Sequence, residues 1–156
     1  MSDLLLTRRH ALVGFGATLL LSAVPLPVFA ADHDTAAAIT QQFGDRVAKD
    51  GKVTLKLPPL AETGNSVPIT VSVDSPMSDT DRVARVCVFA NRNPRPLIST
   101  MIFGPKAGQA VFSTNMRLSG TQDVIAIAEM ADQTLWKTQT RVMVTVGACD
   151  TLQSRY

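Results

Sequence analysis

The sequence predicts an all-β protein: a sandwich of about seven antiparallel strands that follows one short helix. Hydrophobic residues make up 46% of the 156-residue chain and charged residues 18%, a composition that allows one buried core. From residue 53 onward, short stretches of alternating apolar and polar side chains are separated by closely spaced Gly, Pro, Asn and Asp residues. No helical segments alternate with these stretches, so a parallel α/β fold is disfavoured. The length fits one domain.

The first thirty residues are predicted to be an export signal and not part of the fold. Arg8 and Arg9 precede an apolar stretch, and Val28-Phe29-Ala30 offers a small-residue cleavage site. Paired arginines in this position are typical of twin-arginine export. We therefore expect residues 1–30 to be removed and the remaining chain to be periplasmic, without a stable membrane anchor.

A short helix is predicted at the start of the mature chain, because Ile39, Phe43 and Val47 recur at a spacing of four and form one apolar stripe. The strands that follow share an alternating or continuously apolar pattern between turn residues, and they cover residues 53–57, 67–73, 83–89, 97–103, 110–118, 124–130 and 135–146. Seven short strands at this spacing are typical of an immunoglobulin-like sandwich. We assign residues 31–146 to this domain and residues 147–156 to a C-terminal arm.

Residue types that catalysis needs are scarce after residue 30. The one histidine there, His33, lies before the predicted helix, and no His, Cys, Asp or Glu residues have the spacing of metal ligands. The sequence also contains no glycine-rich phosphate loop. The formal charge is +2 and basic residues are scattered, which disfavours nucleic-acid binding. We therefore expect a protein that is not an enzyme and that has no metal, other cofactor or nucleic-acid partner.

Two cysteines, Cys87 and Cys149, are the remaining candidates for covalent chemistry. A disulfide is the first interpretation of two cysteines in an exported protein. Cys87 lies within the most apolar strand, which favours a buried thiol. Cys149 follows the last strand beside Gly147, where a thiol would be accessible to other proteins. From its position alone, Cys149 is a functional thiol, a residue without a role, or a cysteine that forms an intermolecular or regulatory disulfide.

Several segments of the chain together carry a family resemblance, and they are residues 51–58, 62–68, 71–77, 88–96, 117–118, 122–128 and 144–149. In their order and spacing they resemble SoxY, a sulfur-carrier family of bacterial thiosulfate oxidation. The resemblance implies an immunoglobulin-like sandwich that pairs with a SoxZ-like protein. It also implies that Cys149 covalently carries thiosulfate-derived sulfur, on an arm made flexible by Gly147, while periplasmic enzymes process it.

The arm departs from the family pattern. The family has two glycines before the cysteine and one or two after it, whereas this chain has Gly147, Ala148, Cys149 and Asp150, with six more residues to Tyr156. The carboxylate of Asp150 favours a neutral thiol and repels an approaching anion. The chain is thus similar to a SoxY-related branch with an altered arm. Two hypotheses follow: a sulfur carrier that uses Cys149, or a binding or scaffold sandwich whose arm carries no sulfur.

Overall fold

The computed structural model describes residues 35–148 as one helix and nine strands. In chain order the elements are α1 (Thr35–Phe43), β1 (Ala48–Asp50), β2 (Val53–Lys56), β3 (Leu60–Thr63), β4 (Val67–Val73), β5 (Val83–Ala90), β6 (Leu97–Ile102), β7 (Val111–Met116), β8 (Gln122–Met130) and β9 (Leu135–Val146). The short helix and all seven predicted strands are confirmed. The predicted export signal and Cys149 lie outside the described residues. Within residues 35–148, no helix is long and apolar enough to cross a membrane.

Two sheets form the sandwich. The larger sheet has the order β1-β9-β8-β5-β6, with β3 also paired to β9, and the smaller sheet has the order β2-β4-β7. The seven predicted strands pair antiparallel, as expected, but β1 and β3 are additional and run parallel to β9. Sequence patterning missed both strands because they have only three and four residues and show little period-two burial.

The main core fills the space between the two sheets. Successive side chains of a strand point to opposite faces, and β4 follows this rule closely, since Val67, Ile69, Val71 and Val73 are buried and the residues between them are not. The opposing side chains come from β5 and β8, which are buried on both faces of the larger sheet. Burying a side chain of this size stabilises the fold by about 1.5–3 kcal/mol.

A second, smaller core lies on the outer face of the larger sheet, beneath α1. Its buried side chains are Phe43, Cys87, Phe89, Ile127 and Leu135. The rings of Phe43 and Phe89 pack with their centroids 6.4 Å apart. The helix therefore covers the outer face of β5 and β8, which explains why β5 is apolar on both sides.

The helix ends earlier than the apolar stripe predicts. Gly44 adopts a positive φ of 66°, and its amide donates to the carbonyl of Thr40 at 2.7 Å, as in a left-handed helix cap. Val47, the third residue of the stripe, therefore lies beyond the helix and is 85% exposed. Its placement in the helix was wrong, because glycine at position 44 ends the helix before the stripe is complete.

Two arginines and one glutamate fasten the end of α1 to the larger sheet. Glu129 accepts from Arg46 at 2.6 Å and from Arg85, and we call these three residues the Glu129 clamp. The guanidinium of Arg46 also donates to the Phe43 carbonyl, and that of Arg85 donates to the Gln42 carbonyl, both at 2.8 Å. Cations at a helix C-terminus oppose its partial negative charge. Burial alone would raise the pKa of Glu129, but the hydrogen bonds and charges of the arginines hold it below its ordinary value.

Candidate functional site at the root of the arm

Four connections meet at the end of the sandwich where β9 terminates. They are residues 64–66, 91–96, 117–121 and 147–148, and the register of β5, β8 and β9 places them side by side. We call this the arm end, because Cys149 directly follows it in the sequence. The connections at the opposite end, which we call the far end, are residues 51–52, 74–82, 103–110 and 131–134.

Three backbone hydrogen bonds hold the chain up to the residue before Cys149. The Gly64 amide donates to the Val146 carbonyl at 2.7 Å, and the Leu118 amide donates to the Gly64 carbonyl at 2.8 Å. The Ala148 amide then donates to the Leu118 carbonyl at 2.9 Å. We call this set of bonds the arm root. It fixes the position of Ala148, the residue before Cys149, and Gly147 lies buried within it.

Gly64 is the residue that makes the arm root possible. A Cβ atom at this position would lie 1.9 Å from the Leu118 carbonyl oxygen and 3.0 Å from the Ala148 amide nitrogen. Both atoms belong to the backbone, so neither can move aside by a change of rotamer. Glycine is needed here for close approach of three backbone segments.

A side-chain network ties the connection 91–96 to the connection 117–121. Asn93 Oδ1 accepts from Gln122 Nε2 at 2.9 Å and from the Ser119 amide at 2.9 Å, while Asn93 Nδ2 donates to the Arg117 carbonyl at 2.8 Å. Gln122 Oε1 accepts from the Arg92 amide at 2.8 Å. Gln122 is 2% exposed, and these contacts give both its side-chain oxygen and its side-chain nitrogen a partner. The network therefore holds Leu118, which lies between Arg117 and Ser119, as a fixed acceptor for Ala148.

Thr121 fastens the last turn of the same end to β9. Its hydroxyl accepts from the Val144 amide at 3.0 Å and donates to the Val144 carbonyl at 3.3 Å. The final residues of β9 are thus held from two sides, by Thr121 and by Gly64. These bonds oppose sliding of the end of β9 relative to the arm-end loops.

Cys87 is buried and free, as its position in the most apolar strand predicts. It lies in the core beneath α1, with its Sγ 3.5 Å from Thr100 Oγ1. Burial raises the pKa of the Cys87 thiol, although the hydrogen bond with Thr100 works in the opposite direction. A buried neutral thiol is a poor nucleophile and a poor metal ligand. Cys87 is therefore a structural side chain.

The predictions for the C-terminal arm are not tested by the described residues. Cys149 and Asp150 lie outside the described residues, so the covalent role of Cys149 stays a prediction. The roles of Gly147 in arm flexibility and of residue 147 as a boundary stay predictions too. Residues 35–148 contain no group of three or more His, Cys, Asp or Glu side chains placed to hold a metal ion.

The sequence does not predict the roles of Gly64 in the arm root and of Asn93 in the network beside it. In the sequence, Gly64 has the signature of a turn beside Asn65, and Asn93 has that of a polar loop with Pro94 and Pro96. Gly64 avoids a carbonyl that is distant in sequence, and Asn93 pairs a buried amide. Neither role changes the local sequence, which looks like that of any turn. The pairing of these residues depends on contacts between loops that are 24 or more positions apart.

A family model described as Sulfur oxidation protein SoxY matches residues 39–149, and its last matched position is Cys149. No curated protein sequence matches the chain.

Solved structures with the same fold include a sulfur carrier and several reductases. The sulfur carrier protein SoxY from Chlorobium limicola f thiosulfatophilum superposes with a TM-score of 0.60 at 23% identity, covering 71% of this chain and 96% of that one. A superoxide reductase (neelaredoxin) from Ignicoccus hospitalis gives 0.54 at 15% identity, covering 60% and 80% of the two chains. The superoxide reductase from Nanoarchaeum equitans gives 0.51 at 18%, covering 62% and 100%. At these identities the likeness shows the sandwich fold alone.

Proposed function

The chain belongs to the SoxY family of sulfur oxidation proteins, and we propose that it is a periplasmic carrier subunit that holds a thiosulfate-derived sulfur intermediate covalently on Cys149. The observation that carries the proposal is the contrast between the two cysteines. Cys87 is fully buried beneath α1, whereas Cys149 follows the last anchored residue of the arm root. The family match also extends to Cys149. Partner enzymes, and not this chain, would perform the chemistry.

The loading step joins two sulfur atoms. The Cys149 thiol loses its proton, its sulfur forms an S–S bond with the outer sulfur of thiosulfate, and two electrons leave. The family resemblance implies that a c-type cytochrome accepts these electrons and that a dimanganese hydrolase later releases sulfate. The cytochrome and the hydrolase supply the groups that transfer electrons and release sulfate. The role of this chain is to present the Cys149 thiol to both enzymes.

The arm root sets how far the thiol can travel. The Cα of Cys149 lies one peptide unit, about 3.8 Å, from that of Ala148. While the Ala148 amide is bonded to Leu118, Ala148 is fixed, so Cys149 can reach only as far as this one peptide unit allows. Breaking this bond frees Gly147 and Ala148, and each freed residue extends the reach by about 3.3–3.6 Å. Such a bond contributes only about 0.5–1.5 kcal/mol net. We propose that the arm swings about Gly147 when this bond opens.

Pairing with a SoxZ-like protein is part of the same proposal. The strand β6 is an edge of the larger sheet, and its last residues, Met101 and Ile102, are 39% and 75% exposed. An apolar edge strand with unpaired backbone groups supports association with a second sandwich. Co-expression of this chain with the SoxZ-like protein of its host, followed by size-exclusion chromatography, should give a single heterodimer peak. Separate monomer peaks at micromolar concentration would contradict the pairing.

Complementation tests the carrier role directly. A host strain that lacks this chain is given back the natural protein, Cys149→Ser or the matched control Cys87→Ser, and thiosulfate consumption is measured. The natural protein and Cys87→Ser should restore oxidation, whereas Cys149→Ser should not, provided that immunoblots of the periplasm show equal amounts. Full oxidation with Cys149→Ser would overturn the proposal. The same fractionation tests export, since a twin-arginine signal should place the protein in the periplasm.

The alternative is a binding or scaffold sandwich whose arm carries no sulfur. The specific observation in its favour is the arm root itself, since Ala148 stands where the family has glycine and its amide is held by Leu118. A tethered arm suits a fixed surface better than a moving carrier. An unmodified Cys149 together with a stable SoxZ-like partner would favour this alternative.

A further inference from the structure

The arm end carries positive charge and no carboxylate of its own. Its four connections contain Arg92, Arg95 and Arg117, and they contain no Asp or Glu. Among residues 35–148, no carboxylate oxygen lies within 4.0 Å of these three guanidinium groups. We call the three arginines the basic collar. The nearby Asp123 is paired with a fourth arginine, Arg141, at 3.9 Å.

Hydrogen bonds between the loops fix the backbone of two collar residues beside the arm root. The Arg117 carbonyl accepts from Asn93, and the Arg92 carbonyl accepts from the Ser119 hydroxyl at 2.7 Å. Arg117 directly precedes Leu118, whose carbonyl accepts from Ala148. Because Cys149 is covalently bonded to Ala148, its Cα lies about 3.8 Å from the Cα of Ala148, whose amide is bonded to the residue that follows Arg117.

We propose that the basic collar draws small sulfur-containing anions to Cys149 and offsets the repulsion of those anions by Asp150. The identity of the natural anion rests on the proposed function, but the electrostatic effect on Cys149 does not. A unit charge about 10 Å from a dianion in water changes the local concentration of the dianion about fourfold. Salt screens this effect over a Debye length of about 10 Å at 0.1 M. The arginines of the collar would therefore attract anions to Cys149, although Asp150 of the arm repels them.

Two of the three arginines give a clean test. Arg95 and Arg117 make no side-chain hydrogen bond or ion pair within residues 35–148, so Arg95→Gln/Arg117→Gln removes charge without breaking a contact. Arg92 is left in place, because its guanidinium donates to the Thr121 carbonyl at 3.0 Å. The matched control is Arg82→Gln/Lys106→Gln, which removes the same charge at the far end of the sandwich.

The readout is the reactivity of Cys149 in the purified protein toward two disulfide probes. Cys149 thiolate attacks a disulfide sulfur of the dianion 5,5′-dithiobis(2-nitrobenzoate) or of neutral 4,4′-dithiodipyridine, the S–S bond breaks, and an aromatic thiolate leaves. Both probes react with the same thiolate, so the thiolate fraction cancels in the ratio of the two rate constants. The ratio therefore reports the electrostatic potential at Cys149. A Cys149→Ser sample measures any reaction of Cys87, which should be absent because that thiol is buried.

At about 10 mM salt, the anionic-to-neutral ratio should fall about 10-fold in Arg95→Gln/Arg117→Gln and stay within about twofold of the natural protein in the far-end control. At about 1 M salt, the difference between the variants should fall below about twofold. An unchanged ratio in the arm-end variant, or an equal fall in both variants, would overturn the proposal. If the ratio changes as expected but Cys149 carries no sulfur in the host, the electrostatic role of the collar is supported and the carrier function is contradicted.

Discussion

The two ends of the sandwich are built differently. At the arm end, side-chain hydrogen bonds join different connections, as in the bonds of Asn93 to Arg117, Ser119 and Gln122. At the far end, the side-chain hydrogen bonds among the four connections stay within a single connection, as from Ser75 to the Asp81 carbonyl. Different far-end connections are joined by backbone hydrogen bonds, from the Asp74 amide to the Lys52 carbonyl and from the Ala131 amide to the Arg82 carbonyl. Arg46, which follows α1, also donates to the Gln133 carbonyl at 3.1 Å. The exposed Lys52–Asp81 ion pair at 3.6 Å joins two of the far-end connections.

Charge follows the same division. The far-end connections contain four aspartates, Asp74, Asp79, Asp81 and Asp132, against Lys52, Arg82 and Lys106, whereas the arm end contains arginines alone. Side-chain hydrogen bonds between the arm-end loops fix the position of Leu118, the acceptor of the Ala148 amide. The comparison indicates that side-chain hydrogen bonds between loops and an excess of arginine distinguish the arm end, which holds the residue before Cys149 in place.

The largest effect is expected from a single methyl group at the arm end. Gly64→Ala would drive a Cβ into the Leu118 carbonyl and should lower the free energy of unfolding by about 3 kcal/mol. It should also break the arm root and raise the reactivity of Cys149. The matched control is Gly108→Ala at the far end, where nothing lies within 4 Å and little change is expected. Urea denaturation of both variants checks the pair; equal stabilities would contradict the arm root.

A smaller loss of unfolding free energy is expected when Asn93, which joins the arm-end loops, is replaced. Asn93→Ala leaves the side-chain amide of Gln122, a residue 2% exposed, without its acceptor, and should cost about 2 kcal/mol. The far-end comparison is Asp132→Ala, which removes contacts only with its neighbour Thr134 at the surface. Asp132→Ala should therefore change the midpoint of urea denaturation much less. A larger loss for Asp132→Ala than for Asn93→Ala would reverse the comparison of the two ends.

The smallest of these effects concerns the Glu129 clamp, which lies near the far end and secures α1. Glu129→Gln should cost about 1.5 kcal/mol at neutral pH, because two arginines lose a charged acceptor. The pKa of Glu129 is lowered in the folded state, so its stabilisation is complete above the ordinary value of 4.5 and is lost as the pH falls through the folded-state pKa.

Denaturation of the natural protein and Glu129→Gln at several pH values checks the clamp. The difference in unfolding free energy should be constant above about pH 5 and should shrink below pH 4.5, the ordinary value for this carboxyl. Hydrogen exchange should become faster in α1 and stay unchanged at the arm end. A difference that grows as the pH falls would contradict the assigned role of Glu129.

The sequence predicts the fold better than it predicts the site. Period-two patterning identified β4 because burial on one face imposes it over seven residues. Short β1 and β3 carry no such signal, since they exist by pairing with β9. The burial of Cys87 followed from its apolar neighbours. Gly64 and Asn93 could not be assigned, because their roles depend on atoms from loops distant in sequence.

The central claim is that Cys149 carries sulfur, and intact mass tests it most directly. The protein is purified from its native host during growth on thiosulfate, and its mass is measured with and without reductant. The account predicts a reductant-labile mass addition that maps to the peptide containing Cys149 and is absent from Cys149→Ser. An unmodified Cys149 under those conditions would contradict the account and leave a partner-binding sandwich.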